Sequence, residues 1–382
     1  MVRLKDVGKI ITGNTPKTSE KENYESNDIC FVKPSDIESD GISYIEETEN
    51  FIAECAREKA RILPVNSVLV TCIGIIGKIG INKVECAFNQ QINAIVPNEE
   101  ICLAQYLAYA IKSKKFLLQD IANAPVVPIL NKTQFADVEI KIVDLKEQER
   151  IVHRLAKVEA LIDQRKQQFQ KLDELVKARF VEMFGDPVSN PYGYEKVVLS
   201  ELADIKIGPF GSLLHKEDYV ENGHALVNPS HIVEGRVVPD NKLTISEEKY
   251  SELYPYHLKN GDVVMGRRGE MGRCAVVDCD GYLCGTGSLL IRTKGEVTAD
   301  YIQKSISFPS FKKSIEDMAV GQTMSNLNVP IVSKLQLIKP PIEVQNDYYE
   351  FVAKIDKSKL SVQNSLDKLE TLKKALMQKY FG

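Results

Sequence analysis

Ser67–Lys78 reads SVLVTCIGIIGK, and Asp262–Arg273 reads DVVMGRRGEMGR. Laid over each other at an offset of 195, Val68 meets Val263, Gly74 meets Gly269, Gly77 meets Gly272 and Lys78 meets Arg273. Each stretch is an apolar β-type run that ends in a GxxG turn and a basic residue. Matched glycines in a turn have a backbone reason, since glycine alone adopts positive φ at no steric cost. The offset extends outward. Leu4 and Leu199, Gly13 and Gly208, Pro34 of FVKPSDI and Pro229 of LVNPSHI, and Tyr106 and Tyr301 are each 195 apart. Farther on the offset becomes 197, pairing Gln148 with Gln345, Ala156-Lys157 with Ala353-Lys354, and Phe184-Gly185 with Phe381-Gly382. Coincidence supplies one or two such matches, not a register kept across the whole chain. The chain is therefore an internal repeat.

Each repeat has the same internal order. Short β-like runs (SVLVTCI and INAIVP; DVVMGR and LLIRT) are broken by Gly, Asn, Asp and Pro. A short helical stretch follows, and then a long pattern with neither Pro nor Gly. In the first long pattern Ile151, Leu155, Val158, Ile162, Phe169, Leu172 and Val176 recur by four and three, with Arg165 and Arg179 at polar breaks. In the second, Val352, Ile355, Val362, Leu366, Leu369 and Leu376 do the same, with Lys359 and Lys373 as breaks. This is a heptad seam, the mark of a coiled coil.

The expected organisation is a first globular domain at 1–145, a helix at 146–185, a linker at 186–195, a second domain at 196–342 and a second helix at 343–382. The fold class expected is α+β (mixed α/β): two tandem domains braced by an antiparallel two-helix coiled coil with a pseudo-two-fold internal repeat. A parallel pair would require the short linker after Gly185 to travel back along the helix, so the antiparallel arrangement is the easier to build. The 37 residues from Gln148 to Phe184 make about 55 Å of helix at ~1.5 Å per residue. Two DNA half-sites one turn apart are separated by roughly 34–36 Å. Such a helix is long enough to act as a ruler between two readers.

Composition narrows the function classes. At 43% hydrophobic and 27% charged residues the chain has a globular profile. No apolar run reaches the length of a membrane span, the N-terminus lacks signal-peptide character, and eight scattered cysteines suit a reducing cytoplasm. Cys274, Cys279 and Cys284 recur every five residues without the close pairing of zinc sites, and are read as small strand residues. Pro239-Asp240 with Glu247-Glu248-Lys249 imitates a nuclease metal motif, and Asn190-Pro191-Tyr192 imitates an amino-methyltransferase motif. Both read as surface or linker segments. There is no GxxxxGK[ST] loop and no nucleotide cradle, so no cofactor, metal or catalytic site is expected. The formal net charge of −4 argues mildly against DNA binding, because phosphate neutralisation is a large part of affinity. Any DNA-binding face must be local or completed by a basic partner.

Taken together, the tandem domain-helix order, the openings GNTP (Gly13 to Pro16) and GPFGS (Gly208 to Ser212), the PSDI and PSHI segments, the GxxGK and GxxGR turns, and LKEQ and PPIEVQ ahead of each helix resemble the specificity subunits of type I restriction-modification systems. The resemblance spans essentially the whole chain. It implies that each domain is a target recognition domain reading half of a bipartite site in double-stranded DNA. It further implies that the helices set the gap and dock methyltransferase subunits, expected to be two, and that motor-nuclease subunits join for cleavage. The subunit itself would carry no catalytic residues.

Base reading requires polar or cationic side chains on loops that reach a groove. The candidates are Lys33, Ser35, Thr71, Lys78, Asn89, Gln90 and Gln91 in the first repeat. In the second they are Ser212, Ser230, His231, Arg267, Arg268, Arg273, Thr286 and Ser288. Arginine matches guanine bidentately, and the amides of FNQQ match adenine. For any one of them the bland reading is a solvated turn residue. The rival function is a non-enzymatic scaffold whose helices and domains bind proteins.

Overall fold

The structure is a computed structural model that describes residues 1–122, 127–210, 213–319 and 327–382. The chain forms two compact units: Met1–Gln168 with Val362–Gly382, and Phe169–Ser361. These units cut across the domain-and-helix division read from the sequence, because each takes a globular part and a length of both long helices. The helices run Leu145–Phe184 and Ile342–Phe381.

In the first unit the run quoted at the outset forms the middle of a five-stranded sheet. Its order is Gly8–Thr12, Ile92–Pro97, Val68–Thr71, Ile79–Asn82, Ser43–Ile45, antiparallel except for the last pair. Val68–Thr71 is buried at every position, which is why it reads as a continuous apolar run rather than an alternating one. A four-stranded sheet, Phe51–Ile52, Ile29–Val32, Cys86–Phe88, Ile62–Leu63, lies in the same globular part. Helix Ala104–Ser113 buries Tyr106, Leu107, Tyr109 and Ile111 in the main core.

The second unit repeats this plan. Ala203–Ile207, Ser288–Thr293, Val263–Gly266 and Cys274–Val276 form its main sheet, all antiparallel. Helix Ala299–Ile306 stands where Ala104–Ser113 stood. The repetition extends to single backbone bonds. Cys72 N–H donates to Gln91 O and Leu130 N–H to Cys72 O; in the second unit Arg267 N–H donates to Gly287 O and Leu327 N–H to Arg267 O.

Each globular part holds the beginning of one long helix and the end of the other. In the first unit the buried Gln148 amide accepts from Leu103 N–H and donates to Ile101 O and Val143 O. Gln345 repeats this in the second unit, accepting from Thr298 N–H and donating to Pro340 O. The helix ends are held by aromatic packing. Phe381 lies 5.1 Å from the Tyr106 ring, and Phe184 lies 5.1 Å from the Tyr301 ring. Both tyrosine hydroxyls donate to backbone carbonyls, Lys141 O and Ile338 O.

Within each unit the two helices run antiparallel. Arg154 pairs with Tyr380 and Glu159 with Lys373 in the first. In the second, Asp173 pairs with Lys359 and the Tyr348 hydroxyl donates to Val176 O. Ile151, Leu155, Val158, Ile162, Val176 and Val362 are buried, and Phe169, Leu172, Val352, Ile355, Leu366, Leu369 and Leu376 are half-buried. The polar breaks have partners: Lys373 meets Glu159, Lys359 meets Asp173, Arg165 donates to Gln168, and Arg179 pairs with Glu182 and lies over the Phe351 ring.

Phe381→Ala is expected to destabilise the first unit by about 3–5 kcal/mol, the range for emptying a buried aromatic site. Leu360, 64% exposed on its helix, should lose less than about 0.5 kcal/mol on the same truncation. Urea denaturation of the two variants beside the parent checks both. Gln148→Ala leaves Leu103 N–H without its acceptor and should cost about 1–3 kcal/mol in the same assay.

Candidate nucleic-acid interface

Three loops come together at the ends of the central strands in each unit. The first is the short turn after Ile29–Val32 or His224–Val227 (Pro34–Asp36; Pro229–His231). The second is the GxxG turn. The third is the FNQQ loop or its counterpart GTGS at Gly285 to Ser288. Backbone bonds join them: Asn89 N–H donates to Val32 O, and Gly285 N–H donates to Val227 O. In the second unit Pro229 packs against both Gly266 and Gly287, where an added Cβ would meet its ring at 3.2 and 3.0 Å. Gly13 and Gly208, which open the GNTP and GPFGS segments, rest on the third loop so tightly that a Cβ on either would lie 2.1 or 2.0 Å from a carbonyl oxygen. Only glycine fits there.

The GxxG turns depend on Gly77 (φ +84°) and Gly272 (φ +73°), a left-handed backbone that disfavours other residues. The basic residue that follows points inward. Lys78 Nζ donates to Pro34 O at 2.9 Å and Ile37 O at 2.7 Å, and Arg273 donates to Pro229 O at 3.2 Å. The same role is thus filled twice, by two different cations at matched positions.

This geometry corrects several of the candidate contacts. Lys78 and Arg273 pin the first loop to the second, so their charge is engaged by carbonyls. Thr71 and Ser288 are 0% exposed; Thr71 Oγ accepts from Lys78 N–H and shapes the turn. Asn89 is buried, bonded to the backbone and side chain of Gln91. His231 is buried with Nδ1 2.7 Å from Leu226 O, folded back onto its own turn as Asp36 is in the first unit. In this structure these six residues are buried in the loops or bonded within them.

The remaining candidates stay at the surface. Ser35, Gln90, Ser230, Thr286 and Arg268 are exposed, and Lys33, Gln91 and Arg267 are half-buried. Gln90 accepts from the Thr15 hydroxyl at 2.6 Å, and Lys33 donates to Asn50 at 2.7 Å. Arg267 donates to Leu327 O at 2.9 Å, so part of its guanidinium holds a neighbouring segment. Burial and then the adjacent Arg268 push its pKa below the usual arginine value. Glu270, at the tip of the turn, is held below the usual carboxylate range by Lys312 and Arg273. Ser212 lies outside the described residues. A search for polar groups alone passes over Ile75, which occupies the Glu270 position in the first unit and is exposed.

The motifs that imitate catalysis serve structure. Glu247 pairs with His224 at 2.6 Å, and Lys249 pairs with Glu252 at 3.1 Å on a helix capped by Ser246. Asn190 turns the linker, its side chain bonded to both the N–H and the carbonyl of Tyr194. Cys274 and Cys284 are buried in strands, where burial pushes their thiols up to about 11 and about 12, and Cys279 is exposed. Among the described residues no group of three or more His, Cys, Asp or Glu is placed to hold a metal ion, and no helix is long and apolar enough to cross a membrane.

The whole chain has relatives. It is 25% identical to the "Type I restriction enzyme MjaIX specificity subunit" of Methanocaldococcus jannaschii, over 99% of this chain and 91% of that one. Its fold matches the type I restriction-modification S subunit from M. genitalium with a TM-score of 0.60, covering 100% of this chain and 95% of that one at 12% identity. It also matches a chain from a structure describing complex assembly and conformational transition of the type I R-M system, at TM-score 0.62 and 18% identity, covering 99% and 96%. Residues 1–174 and 191–371 each match the family described as the type I restriction modification DNA specificity domain, and the chain belongs to that family.

Proposed function

We propose that the two loop clusters are the reading heads of a type I restriction-modification specificity subunit, each taking one half of a bipartite site in duplex DNA. The first head is carried by the recognition domain at 1–145 and the second by that at 196–342. The helices at 146–185 and 343–382 set the gap between the halves and provide the surface for two methyltransferase subunits. Motor-nuclease subunits join that core, and methylation and cleavage belong to those partners in the cytoplasm. This chain supplies no reacting group.

The observation that carries this reading is one frame with two sets of side chains. The loops, their glycines and their bracing bonds repeat, and Ser35 matches Ser230, while the other surface positions differ. Ser35 and Gln90, with the half-buried Lys33 and Gln91, face one set of contacts. Ser230, Thr286, Arg268 and part of Arg267 face another. Similar frames with different readers require two half-sites of different sequence. With a net charge of −4, the chain contributes specificity more than phosphate affinity, and basic partners complete the grip.

Methylation-site sequencing of DNA from cells making this chain with its methyltransferase tests the reading. A two-part motif with a fixed gap is expected. Arg268→Ala should relax or lose one half only, at a cost of about 1–3 kcal/mol for that contact. Lys78→Met, which removes a brace and no proposed contact, should lower thermal stability while keeping the same motif. A one-part motif, or both halves changed by Arg268→Ala, would defeat the assignment.

A further inference from the structure

The GxxG turn divides its two central residues in the same way in both units. The second anchors in the core: Ile76 is buried in the first unit and Met271 in the second. The first is displayed at the tip. In the second unit the displayed residue is Glu270, bound to Lys312 at 2.5 Å and Arg273 at 3.2 Å. In the first unit it is Ile75, 61% exposed. Two positive-φ glycines, Gly74 and Gly77, hold this isoleucine out, where it gains no burial.

Ile75 is not isolated. Ile73 forms a β-bridge with Ile129, and Gly74 N–H donates to Pro128 O. This sets Ile129, 50% exposed, beside the turn. The helix Lys115–Ile121 begins against Gly77, where an added Cβ would meet Lys115 Cγ at 3.3 Å, and it carries Phe116, 81% exposed. Ile75, Ile129 and Phe116 thus stand exposed on three adjoining segments, and an apolar patch built from such exposures marks an interaction surface. It is continuous with the loop cluster, because Cys72 N–H bonds to Gln91 O and Lys78 bonds to the Pro34 turn.

We propose that the first recognition domain reads thymine through this patch, with Ile75 packing on a thymine C5-methyl group in the major groove. The proposal rests on the DNA-reading function argued above. The methyl is the one apolar group on the major-groove edge of the bases, and apolar side chains are its chemical match. A protein partner docking alike on both repeats would need the patch in both. The second repeat instead has Glu270 at the tip and Lys313 at the position matching Phe116. The asymmetry belongs to what differs between the two halves, which is the base sequence.

Uracil differs from thymine only in lacking that methyl, so a substitution scan isolates the contact. The assembled complex would be titrated with duplexes of its own target site in which each thymine in turn is replaced by uracil. With the parent chain, one position should bind about fourfold more weakly, the worth of one buried methyl group. With Ile75→Ala, the thymine and uracil duplexes at that position should bind within about twofold of each other, and the other half-site should be read as before. No response at any thymine, or a uracil penalty that persists in Ile75→Ala, overturns the proposal. So does loss of subunit assembly in Ile75→Ala with thymine discrimination intact, which would give the patch to a protein partner. Equal binding of target and scrambled duplexes by the parent complex would remove the DNA-reading function itself, and the proposal with it.

Discussion

Two aromatic pairs, Phe381 on Tyr106 and Phe184 on Tyr301, hold the architecture together. A helix of 40 residues with an apolar seam has little stability in water by itself, and most of its free energy comes from what the seam is packed against. In each unit the seam meets both the partner helix and a core tyrosine whose hydroxyl is already committed to a backbone carbonyl. Removing the helix end would expose that ring and leave a cavity in the core. The first globular part is therefore completed by Val362–Gly382, residues at the far end of the chain. The long-range closure costs loop entropy, and the buried aromatic surface offsets it.

The same dependence explains the buried glutamines. A helix start inside a core leaves N–H groups and neighbouring carbonyls to be satisfied. Gln148 and Gln345 meet that need with one side chain that both donates and accepts, which no apolar residue could do. Docking through an amide also fixes direction, because donor and acceptor cannot be exchanged without breaking bonds. Register along the helix pair is then carried by the polar breaks. Lys373 on Glu159 and Lys359 on Asp173 match only in one alignment, whereas the leucines around them would tolerate several.

The repeat, the element order and the helix seam were legible in the sequence because they are periodic. Matched glycines such as Gly77 and Gly272 report backbone conformation directly, and heptads report a buried stripe. The contact residues were less legible. Lys78, Arg273, Asn89 and His231 are polar residues in turns, and composition alone does not distinguish a side chain that braces a loop from one that faces a ligand. The difference lies in which carbonyl is within reach, and that depends on strands far away in the chain. Lys78 meets Pro34 only because Ile29–Val32 and Cys86–Phe88 pair in parallel and present the turn to it. The exposure of Ile75 was illegible for the opposite reason, since an apolar residue beside Ile76 reads as core until the turn is seen to split the pair.

A division of labour follows from where the positive charge is used. Two of the cations in the loop clusters, Lys78 and Arg273, donate hydrogen bonds to backbone carbonyls, and part of Arg267 does the same. Charge engaged in this way adds little to phosphate affinity, and the rest of the chain is net acidic. The arrangement costs affinity in the isolated chain but keeps the loops in one conformation before DNA arrives, so less ordering entropy is lost on contact. It also separates two tasks that would otherwise compete. Bracing positions are constrained by the fold, whereas the exposed positions between them are, under the proposed reading, constrained only by the bases they would meet. Under the proposed reading, a change at a tip position such as Ile75, which no brace depends on, would alter what is read without altering what holds the loop, which is how two recognition surfaces on one frame could come to differ.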